Sequence, residues 1–119
     1  MRSKLVALAL AAITVLVVVV PAEARAPGST KVTIRYNGAA FDGEVKSNKE
    51  DKCANGRKVT VFKEKSGKDQ KVGSDVAQAN GGGYQWFVVD KTASGKYYAK
   101  AGNVNGCDKE KTKTVAVQR

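Results

Sequence analysis

Acid–base chemistry in this 119-residue chain would have to come from three pairs of neighbouring carboxylates: Asp42 with Glu44, Glu50 with Asp51, and Asp108 with Glu110. Such pairs hydrolyse glycosidic bonds when they face each other across a gap of roughly 5–9 Å. Asp42 and Glu44, two apart on a strand, share one face and stand among lysines, which favours a solvated surface. A small domain without long loops is expected to offer them no cleft. A carboxylate-lined cleft is the observation that would argue for catalysis. The chain has no histidine, so the commonest neutral-pH base and zinc ligand is missing, and no Ser–His nucleophile can be assembled. Residues 103–108 lack the glycine position and closing Glu of a calcium loop. Gly81-Gly82-Gly83 is followed by neither the Lys-Ser/Thr pair nor the helix of a phosphate cradle. No catalytic residue, metal site or cofactor is assigned.

Two further groups carry chemistry of a different kind. Cys53 and Cys107 are the only cysteines. In an exported chain without metal partners, an even pair reads as a disulfide, which leaves no thiolate nucleophile. Both lie beside turn signals, so the bridge is expected to tie two connections at one end of the domain. Lys96, Tyr98 and Lys100 alternate on a strand and form the candidate binding surface. An exposed Tyr98 between two lysines could stack on sugar rings or bases. Tyr97 and Tyr98 point to opposite faces, so one is expected to be buried and the other exposed.

Export is itself written in the first 26 residues. Arg2 and Lys4 precede an apolar run over residues 5–20, and Ala22, Ala24 and Ala26 are spaced for signal peptidase. A membrane-spanning helix needs about 20 apolar residues, and this run ends at Pro21, so cleavage after Ala24 or Ala26 is expected rather than anchoring. No cysteine follows the run to carry a lipid. The expected division is a signal peptide over 1–26 and one domain over 27–119, delivered to the extracellular side.

The chain holds 21 basic and 11 acidic residues, falling to 18 and 10 once Arg2, Lys4, Arg25 and Glu23 are removed. The surplus is mostly lysine. On strand edges and turns, lysine keeps a small β-protein soluble; as a surface it attracts anionic polymers. Only Arg35, Arg57 and Arg119 remain as arginines, which leaves little forked phosphate recognition. Specific nucleic-acid binding is therefore not expected.

Period-two alternation dominates the chain beyond Pro27-Gly28-Ser29, a short leader to the domain. Strands are expected over 31–36, 41–47, 57–65, 70–76, 84–90, 96–101 and 112–118, separated by Asn-Gly and Ser-Gly turns. Val32, Ile34 and Tyr36 share one face of the first. Residues 78–83 read as too glycine-rich for a strand, and Trp86 reads as core. About seven short strands predict an all-β, antiparallel two-sheet sandwich with one disulfide, the strand count of immunoglobulin-like domains.

From Phe41 onward the chain resembles transthyretin-like sandwich modules, in particular the carboxypeptidase regulatory-like modules of secreted bacterial type. The resemblance rests on Gly43-Glu44-Val45, Arg57-Lys58-Val59-Thr60-Val61, Val72-Gly73-Ser74-Asp75, Gly83-Tyr84-Gln85-Trp86 and Gly95-Lys96-Tyr97-Tyr98-Ala99. It implies a passive scaffold or binding module. Gln78-Ala79-Asn80 replaces the usual Thr-Asp, and a cysteine pair is added. The histidines of transthyretin-like hydrolases are absent. Lys31 has no Asn in residues 112–119 with which to form the isopeptide bond of related adhesin modules. The expected function is a secreted, non-catalytic binding or accessory module. The alternatives are a cationic envelope-associated protein holding anionic polymers, and an enzyme inhibitor presenting residues 46–55.

Overall fold

Alternating apolar residues build two antiparallel sheets. A computed structural model describes residues 27–89 and 94–118; the expected signal segment lies outside the described residues. The first sheet contains β1 (Lys31–Val32), β2 (Arg35–Tyr36), β3 (Ala40–Lys46), β6 (Gln78–Asn80) and β7 (Gly83–Val89), in the order β1-β3-β7-β6 with β2 also on β3. The second runs β5 (Gln70–Val76), β4 (Lys58–Lys63), β8 (Gly95–Ala101), β9 (Val115–Val117). The chain crosses between sheets at the buried Ala77, directly between β5 and β6. Phe41, Val45, Trp86 and Val88 from one sheet pack on Val59, Val61, Tyr97, Ala99 and Val117 from the other. Trp86 is core, 2% exposed, and the all-β sandwich is the architecture that the alternation predicts.

The strand count differs from the expected seven for two local reasons. Residues 31–36 form two short strands, although both pair with β3 in one continuous register, Val32 with Val45 and Tyr36 with Phe41. Between them the Thr33 carbonyl turns onto Gly43, where a Cβ would overlap it. The Thr33 hydroxyl instead accepts the Glu44 N–H at 3.0 Å. Gly43 is thus fixed by close backbone approach. The second difference is β6, which pairs Gln78 with Gln85 and Asn80 with Gly83; the glycines form its hairpin turn rather than ending the sheet. At the other end, Thr112 bonds Ala99 through both backbone and hydroxyl, and β9 begins only at Val115.

Arg57 joins the segments that the ladders leave loose. It is 2% exposed. Its guanidinium donates to the carbonyls of Gly102 (2.8 Å), Cys53 (2.9 Å) and Asp108 (2.9 Å), and to the Thr30 hydroxyl (3.0 Å). Its own carbonyl accepts the Ala77 N–H at 2.8 Å. Burial lowers the guanidinium pKa from its ordinary value, while the Asp108 charge acts the other way. One side chain therefore holds the leader, the connection before β4, the end of β8 and the segment beyond Cys107.

The disulfide reinforces the same end. Cys53 closes a π-helical turn, Glu50–Ala54, in which the Asn55 N–H donates to the Glu50 carbonyl at 2.8 Å. Cys107 bridges to it with a Cα–Cα distance of 5.6 Å. The leader lies against the bridge: Gly28 pairs in parallel with Cys107, and a Cβ on Gly28 would come within 2.6 Å of Cys53 Sγ.

Replacing Arg57 strands several buried acceptors at once. Arg57→Lys, with a differently shaped donor set, is expected to cost about 2–4 kcal/mol, and Arg57→Met about 3–5 kcal/mol; urea denaturation reads both. Opening the 54-residue loop by Cys53→Ser with Cys107→Ser is expected to cost about 2–4 kcal/mol. Reduction of the unaltered protein should lower its urea midpoint comparably.

Candidate functional site

The two outer sheet faces differ in charge and shape. On the second sheet, β4 and β8 set Thr60 beside Lys100 and Phe62 beside Tyr98. Lys58, Lys71, Lys96, Lys100 and Lys111 are all exposed, and none forms an ion pair with a described residue. Lys100 Nζ lies 5.6 Å from the Phe62 ring centre and Lys111 Nζ 4.5 Å from that of Tyr98. Lys100, Lys109 and Lys111, with Asn103 and Glu110, line a shallow depression of about 340 Å³. The ammonium groups rest on aromatic rings and stay accessible, an arrangement that attracts anions.

Tyr98 corrects the expected stacking platform. Both adjacent tyrosines are buried: Tyr97 points into the core, and Tyr98 is 6% exposed on the opposite face. Tyr98 stacks on Phe62 with ring centres 5.5 Å apart, lies under Lys111, and donates its hydroxyl to Asp69 Oδ2 at 2.5 Å. Aromatic and lysine neighbours thus cover an outward-pointing side chain that alternation alone leaves open. Of the candidate residues, Lys96 and Lys100 remain on the surface, while Tyr98 lies buried against Phe62 and under Lys111.

The Asp69 bond sets both partners' acidity. It pushes the Tyr98 hydroxyl up to about 12, with burial and the negative charges of Asp69 and Glu64 adding to the rise. Asp69 moves below its ordinary value, chiefly through that bond, then through the Lys65 N–H and the charge of Lys111, against some desolvation. A raised tyrosine favours the fold fully below its unfolded value near 10, and that contribution is lost as pH climbs toward about 12. A depressed aspartate contributes above its unfolded value and loses the contribution as pH falls through its folded one.

The first sheet carries an open cleft of about 860 Å³, contrary to the expectation of none. Asp42 and Glu44 of β3 form one side, with Thr33 to Arg35 above them. Gln78, Asn80 and Gln85 supply amides, and Asp75, Val76 and Phe87 close the side near the sheet crossing. The carboxylates are already engaged. Arg35 Nε donates to Asp42 at 2.8 Å, Lys46 lies 3.7 Å from Glu44, and Asp75 accepts the Phe87 N–H at 2.8 Å. The carboxylate lining named above as an argument for catalysis is thus present. Period-two spacing nevertheless places Asp42 and Glu44 side by side on one strand, whereas bond hydrolysis needs two carboxyl groups opposed across the substrate, and Asp75 is held by the Phe87 N–H. Among the described residues no cluster of three His, Cys, Asp or Glu side chains gathers as a metal site, and no helix is long and apolar enough to cross a membrane.

Sequence reasoning missed the buried role of Arg57 and this cleft. The signal for Arg57 was its position directly after Asn55-Gly56, where a turn returns the chain towards the core. The cleft had a weaker signal, the polar Gln78, Asn80 and Gln85 beside an outward Phe87.

Asp69→Asn is expected to return Tyr98 toward its ordinary value near 10; an ultraviolet titration of tyrosinate formation at alkaline pH checks it. An unchanged titration would count against the Asp69 bond as the main cause. No protein-family model, curated protein or solved structure matches the chain, so the functional reading rests on the placement of these side chains.

Proposed function

We propose that the protein is a secreted, non-catalytic binding module that attaches to anionic polymers through the outer face of its second sheet. The observation that carries this reading is the set Lys58, Lys71, Lys96, Lys100 and Lys111, exposed together and free of ion pairs with described residues. Unpaired lysines give a field that concentrates polyanions whatever their sequence. A lysine set held on a two-layer sheet also recognises by charge density rather than by shape, because ammonium groups are point charges without a fixed fork.

Passive binding agrees with the engagement of Asp42, Glu44 and Asp75 by neighbouring donors. It agrees too with the resemblance to regulatory-like sandwich modules. The Cys53–Cys107 bridge suits an oxidising compartment, as the signal-like residues 1–26 do. The inhibitor reading gains less support. Within residues 46–55 the chain winds into the π-helical turn, with Cys53 and Ala54 buried, so little of it stands out as an extended loop.

Inorganic polyphosphate serves as the probe, with affinity measured over a series of sodium chloride concentrations. Five lysine contacts at about 0.7 each predict a log–log slope near −3.5. Lys96→Glu with Lys100→Glu should make the slope shallower by at least about 1.4. Salt-independent binding, or binding unaffected by the double substitution, would overturn the assignment.

A further inference from the structure

The cleft on the first sheet differs from the lysine face in every property that selects a ligand. No lysine lines it, in a chain carrying 21 basic residues. Its charged lining residues are Asp42, Glu44, Asp75 and Arg35, with Lys46 at the margin 3.7 Å from Glu44; carboxylates outnumber cations three to two, which disfavours a polyanion. Its volume of about 860 Å³ falls within the roughly 300–1,000 Å³ typical of ligand sites.

Its lining is divided. Along one side are hydrogen-bonding groups with capacity to spare. Asn80 Nδ2 donates to Gln85 Oε1 at 2.6 Å, which leaves the Gln85 amide hydrogens and the Asn80 carbonyl open, and Gln78 stands beside Gln85 in the ladder. A carboxylate has about four acceptor sites, so Asp42 and Glu44 retain capacity beyond their basic neighbours. The other side is apolar. Val76, Phe87 and Val89 are the large apolar side chains left exposed among the described residues. Val76 and Phe87 line the cleft, and Val89 follows Phe87 on the same face of β7. A single exposed aromatic ring beside amides and carboxylates matches a molecule with hydroxyls around its edge and C–H groups on its face. That is the chemistry of a sugar ring, which stacks by its apolar face while its hydroxyls both donate and accept.

We propose that this cleft binds an uncharged oligosaccharide, with Phe87 as the stacking platform, Gln78, Asn80 and Gln85 as donors, and Asp42 and Glu44 as acceptors. The module would then hold two different polymers on opposite faces: an anionic one by charge, and a neutral glycan by stacking and hydrogen bonds.

Trp86 supplies the readout. It is the only tryptophan in the chain, and it contributes to the cleft lining. Titration with cellohexaose and with chitohexaose, followed by tryptophan fluorescence and by calorimetry, is expected to give saturable binding with at least one of them. Phe87 is 58% exposed, so Phe87→Ala should leave the fold intact, which its melting curve verifies, and should weaken binding at least about tenfold. Gln85→Ala should weaken it by several fold. Binding should survive 0.5 M sodium chloride, and Lys96→Glu with Lys100→Glu should leave it unchanged, so this site and the lysine face fail or succeed separately. Absence of binding to both oligosaccharides at millimolar concentration would overturn the proposal, as would full binding by Phe87→Ala. Competition only by extended peptides would also overturn it and assign the cleft to a polypeptide.

Discussion

A positive charge taken out of water must be surrounded by acceptors, and Arg57 imposes that requirement on the whole domain. Its guanidinium has no carboxylate within its hydrogen-bond set; three backbone carbonyls and a hydroxyl provide the compensation. Those acceptors belong to segments that lie outside the regular ladders, and such segments would otherwise be the first to open. Burial of the charge is costly unless all four arrive together. Arg57 therefore couples the leader, the π-helical turn and the connection after β8 into one cooperative unit. The disulfide and the Gly28 bridge to Cys107 strengthen an end that this side chain already organises.

The opposite character of the two outer faces comes from how each sheet is finished. On the second sheet, Phe62 and Tyr98 stack on the outward surface, and the Lys100 and Lys111 ammonium groups lie over their rings. Apolar area is covered and positive charge is displayed by the same residues. On the first sheet β6 is short and pairs only with the start of β7. The remainder of β7 is bordered by the Asp75 carboxylate, which accepts the Phe87 N–H. A charged side chain in place of a neighbouring strand stops the sheet from extending, and it leaves the concave region into which Phe87 and the amides project.

Most of the fold was legible because alternation is a direct record of burial. Val32, Ile34 and Tyr36 read as one face and Trp86 as core, and all four meet in the sandwich interior; the cysteine bridge can be inferred from the number and surroundings of the cysteines. Three features were not legible, each because it depends on contacts distant in sequence. The break at Thr33 comes from its carbonyl meeting Gly43 across the strand pair. β6 exists because Gln85 offers it a partner despite the glycines beside it. Tyr98 is buried by Phe62, Lys111 and Asp69, from other elements; its own flanking residues, Lys96 and Lys100, suggested exposure. At the candidate sites, the lysines could be read one by one, but their gathering on one sheet face needed the strand order.

The spread of Arg57's partners also sets a timetable for folding. Thr30 lies 27 positions before it and Asp108 lies 51 after, and Cys107 stands 54 positions beyond Cys53. A chain emerging amino-terminus first can form the hairpin at Asn37 early, yet the guanidinium must stay hydrated until residues 102–108 appear. Closures of such length are slow compared with local turns. The full acceptor set of Arg57 therefore exists only once Thr30 and the distant residues 102–108 have been brought to the same end of the sandwich.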